Sequence, residues 1–346
     1  MHTLNVIHFV HMKLLAFLSL ALLGLRAHAA DSAVLTREFI FETAPFASCH
    51  ATTIVETAGG LAAAWFGGTA EGKADVGIWF SRHVGDQWTA PVEIATGEQP
   101  GGRRRPCWNP VLFQPKAGPL RLFYKVGPSP SDWWGVERTS TDDGQTWCAA
   151  ARLPTEILGP IKNKPVELPN GDLLCPSSTE SEAGWQVHFE RRTPAGVWTA
   201  TPVVNYGNQI DAIQPSILFL GGDRLRAIGR TQQKRLFEIA SEDLGLSWGT
   251  MSLLEVPNPN SGTDAVTLRD GRHLLVYNHT PKGRTPLNVA LSSNGVAWQP
   301  ALVLESDPGE YSYPAVIQTR DGLVHITYTW KRQRVRHVVL DPATLK

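Results

Sequence analysis

Six hydrogen-bonding or ionisable residues recur along the chain at nearly even intervals: His50, Asn109, Lys164, Gln214, Asp264 and Tyr313, separated by 59, 55, 50, 50 and 49 residues. Each directly precedes an apolar segment that reads as a strand. If those strands are the innermost of a ring of repeats, the six side chains converge at one mouth of a central channel and make a site for a polar ligand. Aromatic residues fall in loops expected at the same face: Trp108 beside Asn109, the pair Trp133-Trp134, and Tyr311 beside Tyr313. Planar rings next to hydrogen-bonding groups suit a sugar, which offers both apolar C–H faces and hydroxyls. A His/Tyr pair, His50 with Tyr313, near a cation is also equipped for proton abstraction. The sequence shows no metal-ligand spacing, glycine-rich phosphate loop or cofactor motif, so neither a metal nor a cofactor is expected.

The elements that must position these residues follow a period of about fifty residues. Trp88, Trp147, Trp198, Trp248 and Trp298 lie 59, 51, 50 and 50 residues apart. Two of them close a Ser-x-Asp-x-Gly-x-Ser/Thr-Trp motif, Ser140 to Trp147 and Ser241 to Trp248. In that motif Asp and Ser bond nearby backbone N–H groups, Gly takes a positive φ, and Trp plugs the space beneath the turn. It reads as a structural clasp. A second repeat interleaves with the first: apolar strand, Gly-containing turn, apolar strand, in six copies from Ala51, Pro110, Pro165, Pro215, Ala265 and Pro314. A third strand precedes each Trp turn and a fourth follows it. Four strands per fifty-residue repeat, six times over, predict an all-β, six-bladed β-propeller with antiparallel blades. The last repeat has only three strands, and an orphan segment, Arg37 to Glu42, precedes the first. That N-terminal strand is expected to complete the last blade and close the ring. An open solenoid would instead need capping repeats.

Composition agrees. The 346 residues carry 31 Gly, 25 Pro and 12 Trp against 3 Met, which suits turns and strands rather than a helical bundle. Lys+Arg and Asp+Glu balance at 32 each, leaving no electrostatic footprint for nucleic acid. Met12 to Leu25 is a basic start and a short apolar run, followed by Ala27-His28-Ala29. This is the pattern of a signal peptide over 1–29, with a single propeller domain over 30–346 and a secreted or periplasmic destination; an uncleaved anchor is the alternative. No membrane association is expected after cleavage. The cysteines, Cys49, Cys107, Cys148 and Cys175, match no metal motif.

On this six-fold count the Asp-box turns resemble those of the sialidase (neuraminidase) superfamily, the BNR-repeat propellers, and the similarity spans residues 37 to 346. WFGGTAEGKADVGIWFSR resembles the first-blade segment carrying the general acid, which implies that role for Asp75. LRAIGRT and LLVYNHTPKGRTPLNVALS place Arg230 and Arg284 like two of the three arginines that bind the substrate carboxylate. EYSYP resembles the Tyr-Ser segment of the nucleophilic tyrosine; the dipeptide itself favours Tyr311, and distance to the strand favours Tyr313.

Two departures stand out. The family opens blade one with Arg-Ile-Pro, where this chain has Ser48-Cys49-His50-Ala51, so one triad arginine is missing. Blade four usually supplies a Glu that polarises the tyrosine, and here the match is Gln214. Arg103 to Arg105, above all Arg105 just before blade two, or Lys162 and Lys164 could compensate. The resemblance implies an exo-glycosidase that removes a terminal acidic sugar. Arg230 and Arg284 would grip the carboxylate, Tyr311 or Tyr313 would act at the anomeric carbon, and Asp75 would shuttle the proton. Asn109, Lys164, Gln214 and Asp264 would bind substrate, and His50 would act in a lyase working on a uronate. A non-catalytic glycan-binding propeller is the third reading.

Overall fold

The segment HLLVY is apolar at four successive positions and buried throughout, so both faces of this strand avoid water. The computed structural model describes residues 33–207 and 209–346, and in it the strands stack radially with both sheet faces covered. Strand β1 (Val34–Phe39) stands before the first blade. Blade one comprises β2 (Ser48–Thr57), β3 (Gly60–Gly68), β4 (Gly77–Val84), the short β5 (Gln87–Trp88) and β6 (Val92–Ala95). Blade two is β7 (Cys107–Phe113), β8 (Leu120–Val126), β9 (Trp134–Ser140) and β10 (Ala151–Arg152). Blade three is β11 (Val166–Glu167), β12 (Leu173–Ser181), β13 (Gly184–Arg192) and β14 (Trp198–Ala200). Blade four is β15 (Ala212–Gly221), β16 (Arg224–Thr231), β17 (Arg235–Ser241) and β18 (Ser252–Pro257). Blade five is β19 (Asp264–Thr267), β20 (His273–Tyr277), β21 (Leu287–Ser292) and β22 (Gln299–Glu305). Blade six is β23 (Tyr311–Gln318), β24 (Val324–Trp330) and β25 (Arg334–Leu340), completed by β1 in the order β1-β25-β24-β23.

The protein is therefore an all-β, six-bladed propeller closed by its N-terminal strand, which begins three residues earlier than the sequence suggests. Among the described residues a single 3-10 turn, Pro342–Thr344, follows the last strand. The leader expected over residues 1–29 lies outside the described residues. Among the described residues no helix is long and apolar enough to cross a membrane.

Six apolar clusters hold the ring, one at each junction between neighbouring blades. Blades five and six share Leu274, Val289, Tyr311, Ile326 and Tyr328, and blades one and two share Ala64, Ile78, Leu112 and Leu122. Smaller clusters fill the remaining four junctions. Where blade six meets blade one, a polar chain runs alongside the core. His325 Nδ1 lies 3.0 Å from His337 Nε2, His337 Nδ1 lies 2.9 Å from Glu38 Oε1, and Trp88 Nε1 donates to the same oxygen at 3.0 Å.

The Asp boxes are clasps. Asp142 accepts from Thr146 N and Thr146 Oγ1, while Ser140 Oγ accepts from Gly144 N. Asp243, Ser241, Gly245 and Ser247 repeat the pattern in blade four. In blade five Asn294 takes the role of the aspartate, accepting from Val296 N and Ala297 N. These side chains are occupied within their own turns. The four cysteines are free thiols.

Candidate active site

An antiparallel blade brings the start of its first strand and the end of its second to the same face. On that face four inner strands carry a left-handed residue: Ala51 (φ 55°), Asn109 (φ 40°), Gln214 (φ 56°) and Tyr313 (φ 49°). At each the ladder to the second strand skips, between His50 and Thr53, Trp108 and Val111, Ile213 and Ser216, and Ser312 and Ala315. In three cases the next residue is proline, which has no N–H to lose where pairing lapses. The bulge also breaks the two-residue alternation of side chains. This separates Tyr311 from Tyr313, which a regular strand would place on one face. Tyr311 is buried between blades five and six beside Trp330, and burial raises its phenol above the ordinary value, with Glu305 and Asp307 adding to the shift. Tyr313 turns into the channel mouth. A left-handed backbone at a bulky residue is a strained conformation of the kind that active sites hold.

The Tyr313 phenol is the point of convergence. Arg230 Nη2 donates to its oxygen at 2.9 Å, and Gln214 Nε2 lies 3.5 Å from it. Gln214 Oε1 is buried without a partner. Exchanging the amide's O and N would let the phenol donate to Oε1 instead. The imidazole of His50 packs on the Tyr313 ring, centroids 4.2 Å apart. The guanidinium carbons of Arg230 and Arg284 stand 5.3 and 5.8 Å from the ring centroid, and Lys162 Nζ 5.8 Å. Arg230 is held in turn by the Asn260 carbonyl at 3.0 Å and by the Trp185 ring. Burial holds His50 well below its ordinary pKa, reinforced by Arg332, Arg284, Arg230 and Lys162. His50 is thus a neutral imidazole at neutral pH, and it does not replace the charge of an arginine.

Other residues expected at the ring make no hydrogen bond to the Tyr313 phenol. Lys164 binds both oxygens of Asp264, at 3.0 and 2.9 Å, and also the Ala265 carbonyl. Asp264 further accepts from Ser216 Oγ and from the N–H groups of Ala265 and Val316. Only 1 % exposed, it ties blades three to six together with no oxygen left open. Lys162 is likewise committed to protein acceptors. Asn109 is buried, and no hydrogen bond joins it to the Tyr313 group. Arg105 is half-buried with its N–H on Gly97 O, its guanidinium tied to none of the groups around Tyr313. Asp75 is exposed on the loop after β3. Its carboxylate accepts from Thr69 N and Oγ1, at 2.8 and 2.5 Å, and the Thr69 hydroxyl is the main cause of its lowered pKa. Next to it on that loop, Glu71 binds Arg332 and Gly72 abuts Trp108. Trp108 and Trp133 meet edge to face with centroids 6.0 Å apart. Trp134 instead faces Arg152.

Sequence reasoning missed three contributors. Arg332, in the turn after β24, reaches the mouth and shares Glu310 with Arg284: Arg332 Nε and Arg284 Nη1 both lie 2.8 Å from Glu310 Oε1. Glu180 ends β12, where burial raises its carboxyl despite the nearby charge of Arg230. The loop Asn258 to Thr263 lines the site, and Gly262 lies so close to Tyr313 that an added Cβ would fall 3.0 Å from its ring. Arg332 and Glu180 stand at the ends of second strands, as Arg230 does. Comparing those ends across blades, as well as the first-strand starts, would have found them. Among the described residues no group of three or more His, Cys, Asp or Glu is placed to hold a metal ion.

Known structures share this architecture. A protein of unknown function from Dyadobacter fermentans superposes with a TM-score of 0.73 at 17% identity, covering 89% of this chain and 98% of its own. The NanB sialidase of Streptococcus pneumoniae gives 0.73 at 11% identity, over 89% of this chain and 71% of its own. The intramolecular trans-sialidase of Ruminococcus gnavus gives 0.72 at 14% identity, over 91% and 99%. Among curated proteins none matches the sequence. The family model for the BNR repeat-like domain matches residues 59–326. With most of its length inside that match and its six blades on the frame of the sialidases, the chain belongs to the BNR repeat-like family.

Proposed function

We propose that the protein is a sialidase-like exo-glycosidase that hydrolyses a terminal acidic sugar from a glycan, sialic acid or a relative of it. The supporting observation is the Tyr313 phenol, set in a strained backbone and hydrogen-bonded by Arg230, with Arg284 beside its ring. Guanidinium groups bind a carboxylate through paired N–H donors. Arg230 and Arg284 take that role, and Arg332 adds a third guanidinium from blade six. A neutral phenol avoids repulsion with the substrate carboxylate, which suits Tyr313 as nucleophile or as the group that stabilises positive charge at the anomeric carbon. Gln214 orients the phenol and takes no proton. Asp75 is the proton donor to the leaving oxygen and the later base for water. Trp133, half-buried and packed on Trp108 beside the Asp75 loop, offers an apolar face to the departing part of the glycan. The leader at 1–29 supports export to a secreted or periplasmic location.

The test is turnover of a panel of terminal acidic glycosides by the purified protein, alongside Tyr313→Phe and Asp75→Ala. Release of the sugar, abolished by both substitutions, is the expected result; undiminished release in both would sink the assignment. A second reading has its own support in the contact between a neutral His50 and Tyr313. In that reading the pair abstracts the proton α to a uronate carboxyl, and the product is an unsaturated uronate absorbing in the ultraviolet. Binding without any product would select a lectin-like role.

A further inference from the structure

The inner strand of blade three is cut to two residues, Val166–Glu167, and the chain before it crosses the channel instead. There Lys162 and Asn163 are both buried, at 4 % and 2 % exposure. Lys162 Nζ donates to Asn163 Oδ1 at 2.8 Å, to Thr263 O at 2.9 Å and to Pro314 O. Asn163 Nδ2 donates to Gln214 O at 3.0 Å and Pro215 O at 3.2 Å. One dipeptide therefore grips the carbonyl of Gln214, the carbonyl of the proline after it and the carbonyl of the proline after Tyr313. They belong to the two left-handed bulges whose side chains meet at the phenol oxygen.

From this geometry we infer that Lys162 and Asn163 are a positioning pair: they hold the strained backbone of Gln214 and Tyr313 and thereby set the phenol against Arg230. The inference rests on the Tyr313 site proposed above and deepens it. A left-handed conformation at Tyr or Gln persists only where surroundings over-determine it, and the three hydrogen bonds to Gln214 O, Pro215 O and Pro314 O supply part of that constraint. Lysine suits the task because an ammonium presents three donors to three acceptors. A neutral amine has two N–H groups and leaves one acceptor orphaned in a buried site.

Burial lowers Lys162 to about 7, opposed by Asp264 and assisted by Lys164 and Arg230. Of the other groups facing it, His50 is pushed well below its ordinary range by burial. The grip on Pro314 and Thr263 therefore loosens as pH rises through about 7.

The experiment follows the Tyr313 13Cζ resonance in protein labelled at tyrosine, assigned with Tyr313→Phe, from pH 5 to 9. The wild-type resonance is expected to move with a midpoint near neutrality. Lys162→Met shifts the resonance and abolishes the inflection, and Lys162→Arg, which stays charged, abolishes the inflection alone. Asn163→Ala keeps Lys162 in place and displaces the resonance while preserving the inflection, so it serves if Lys162→Met does not fold. A folded Asn163→Ala or Lys162→Met with an unmoved Tyr313 resonance overturns the inference, as does an inflection that survives in Lys162→Arg. Where wild type turns over an acidic glycoside, Lys162→Met lowers kcat about tenfold or more at similar KM. Absence of turnover in wild type refutes the hydrolase reading and leaves the resonance measurement to judge the pair.

Discussion

Arg230 donates to the phenol oxygen of Tyr313 across 83 residues of sequence, at 2.9 Å in a buried contact. Removing the oxygen while keeping the ring is the cleanest test of what that contact does. Tyr313→Phe is expected to lower kcat on an acidic glycoside by about a hundredfold or more, with little change in melting temperature. Tyr311→Phe, two residues away but inside the core between blades five and six, is expected to leave kcat within about twofold. Steady-state kinetics of the two variants side by side decide which tyrosine acts; equal losses would contradict the separation made by the bulge.

Gly262→Ala puts a methyl 3.0 Å from the Tyr313 ring. Either the ring or the Asn258 to Thr263 loop must move, at a cost of about 1–3 kcal/mol. Calorimetry should show the lowered stability and kinetics a lowered kcat. A variant indistinguishable from wild type in both would mean that the ring has free space behind it.

Asp75 and Glu180 are displaced in opposite directions. Thr69 favours the Asp75 carboxylate, the form that serves as base for water, whereas burial favours the protonated form of Glu180, the form that donates a proton. If Asp75 acts, Asp75→Asn abolishes turnover and Glu180→Gln only weakens it. If Glu180 is the acid, activity falls as pH rises through its raised pKa, and Glu180→Gln removes that limb. The pH dependence of kcat/KM in both variants separates the two.

Stability should also depend on pH through the seam between blades six and one. Burial first, then His337, lowers His325 to about 4, against about 6.5 in the unfolded chain. The fold thus prefers the neutral imidazole. Its contribution is fully present above pH 6.5 and is lost as pH falls toward 4, a change of about 3 kcal/mol. Melting temperature measured from pH 7.5 to 4 should fall accordingly, and His325→Gln should flatten the decline. An unaltered pH dependence in that variant would place the sensitivity elsewhere.

The clasps make a contrasting prediction. Asp243→Ala removes the acceptor for Ser247 N and Oγ and should lower the melting temperature by a few degrees without altering kcat. A kinetic effect larger than about twofold would give the Asp box a role beyond its turn.

Much of this architecture could be read from one chain because a propeller repeats its grammar. Trp147 and Trp248 mark the same turn, and each turn is built from bonds within eight residues. The site was less legible because it depends on a departure from strand periodicity. Spacing aligns His50 with Gln214 and Tyr313, but the ladder pairs His50 with Phe66 before its skip, so Ala51 is the true counterpart. His50 reaches Tyr313 all the same, from the position before the bulge. Lys164 and Asp264 read as ligand-binding groups because they are charged at strand starts; each proved to be the other's partner, a fact of three-dimensional proximity that spacing cannot carry. Arg332 was hidden in the basic run Lys331 to Arg334, where nothing local distinguishes the arginine that turns inward.

The pairing of β1 with β25 matters before the site exists. Val34 faces Leu340, and the Asp341 N–H reaches the Ala33 carbonyl at 3.0 Å. The two partners lie about 300 residues apart, so a chain made only as far as β24 leaves β1 unpaired and the edge of blade six unmatched. By the same token the seam of the ring is a matter of where the chain happens to be cut: joining the two ends by a short linker and opening the backbone at an Asp-box turn should give a circular permutant with the same six blades.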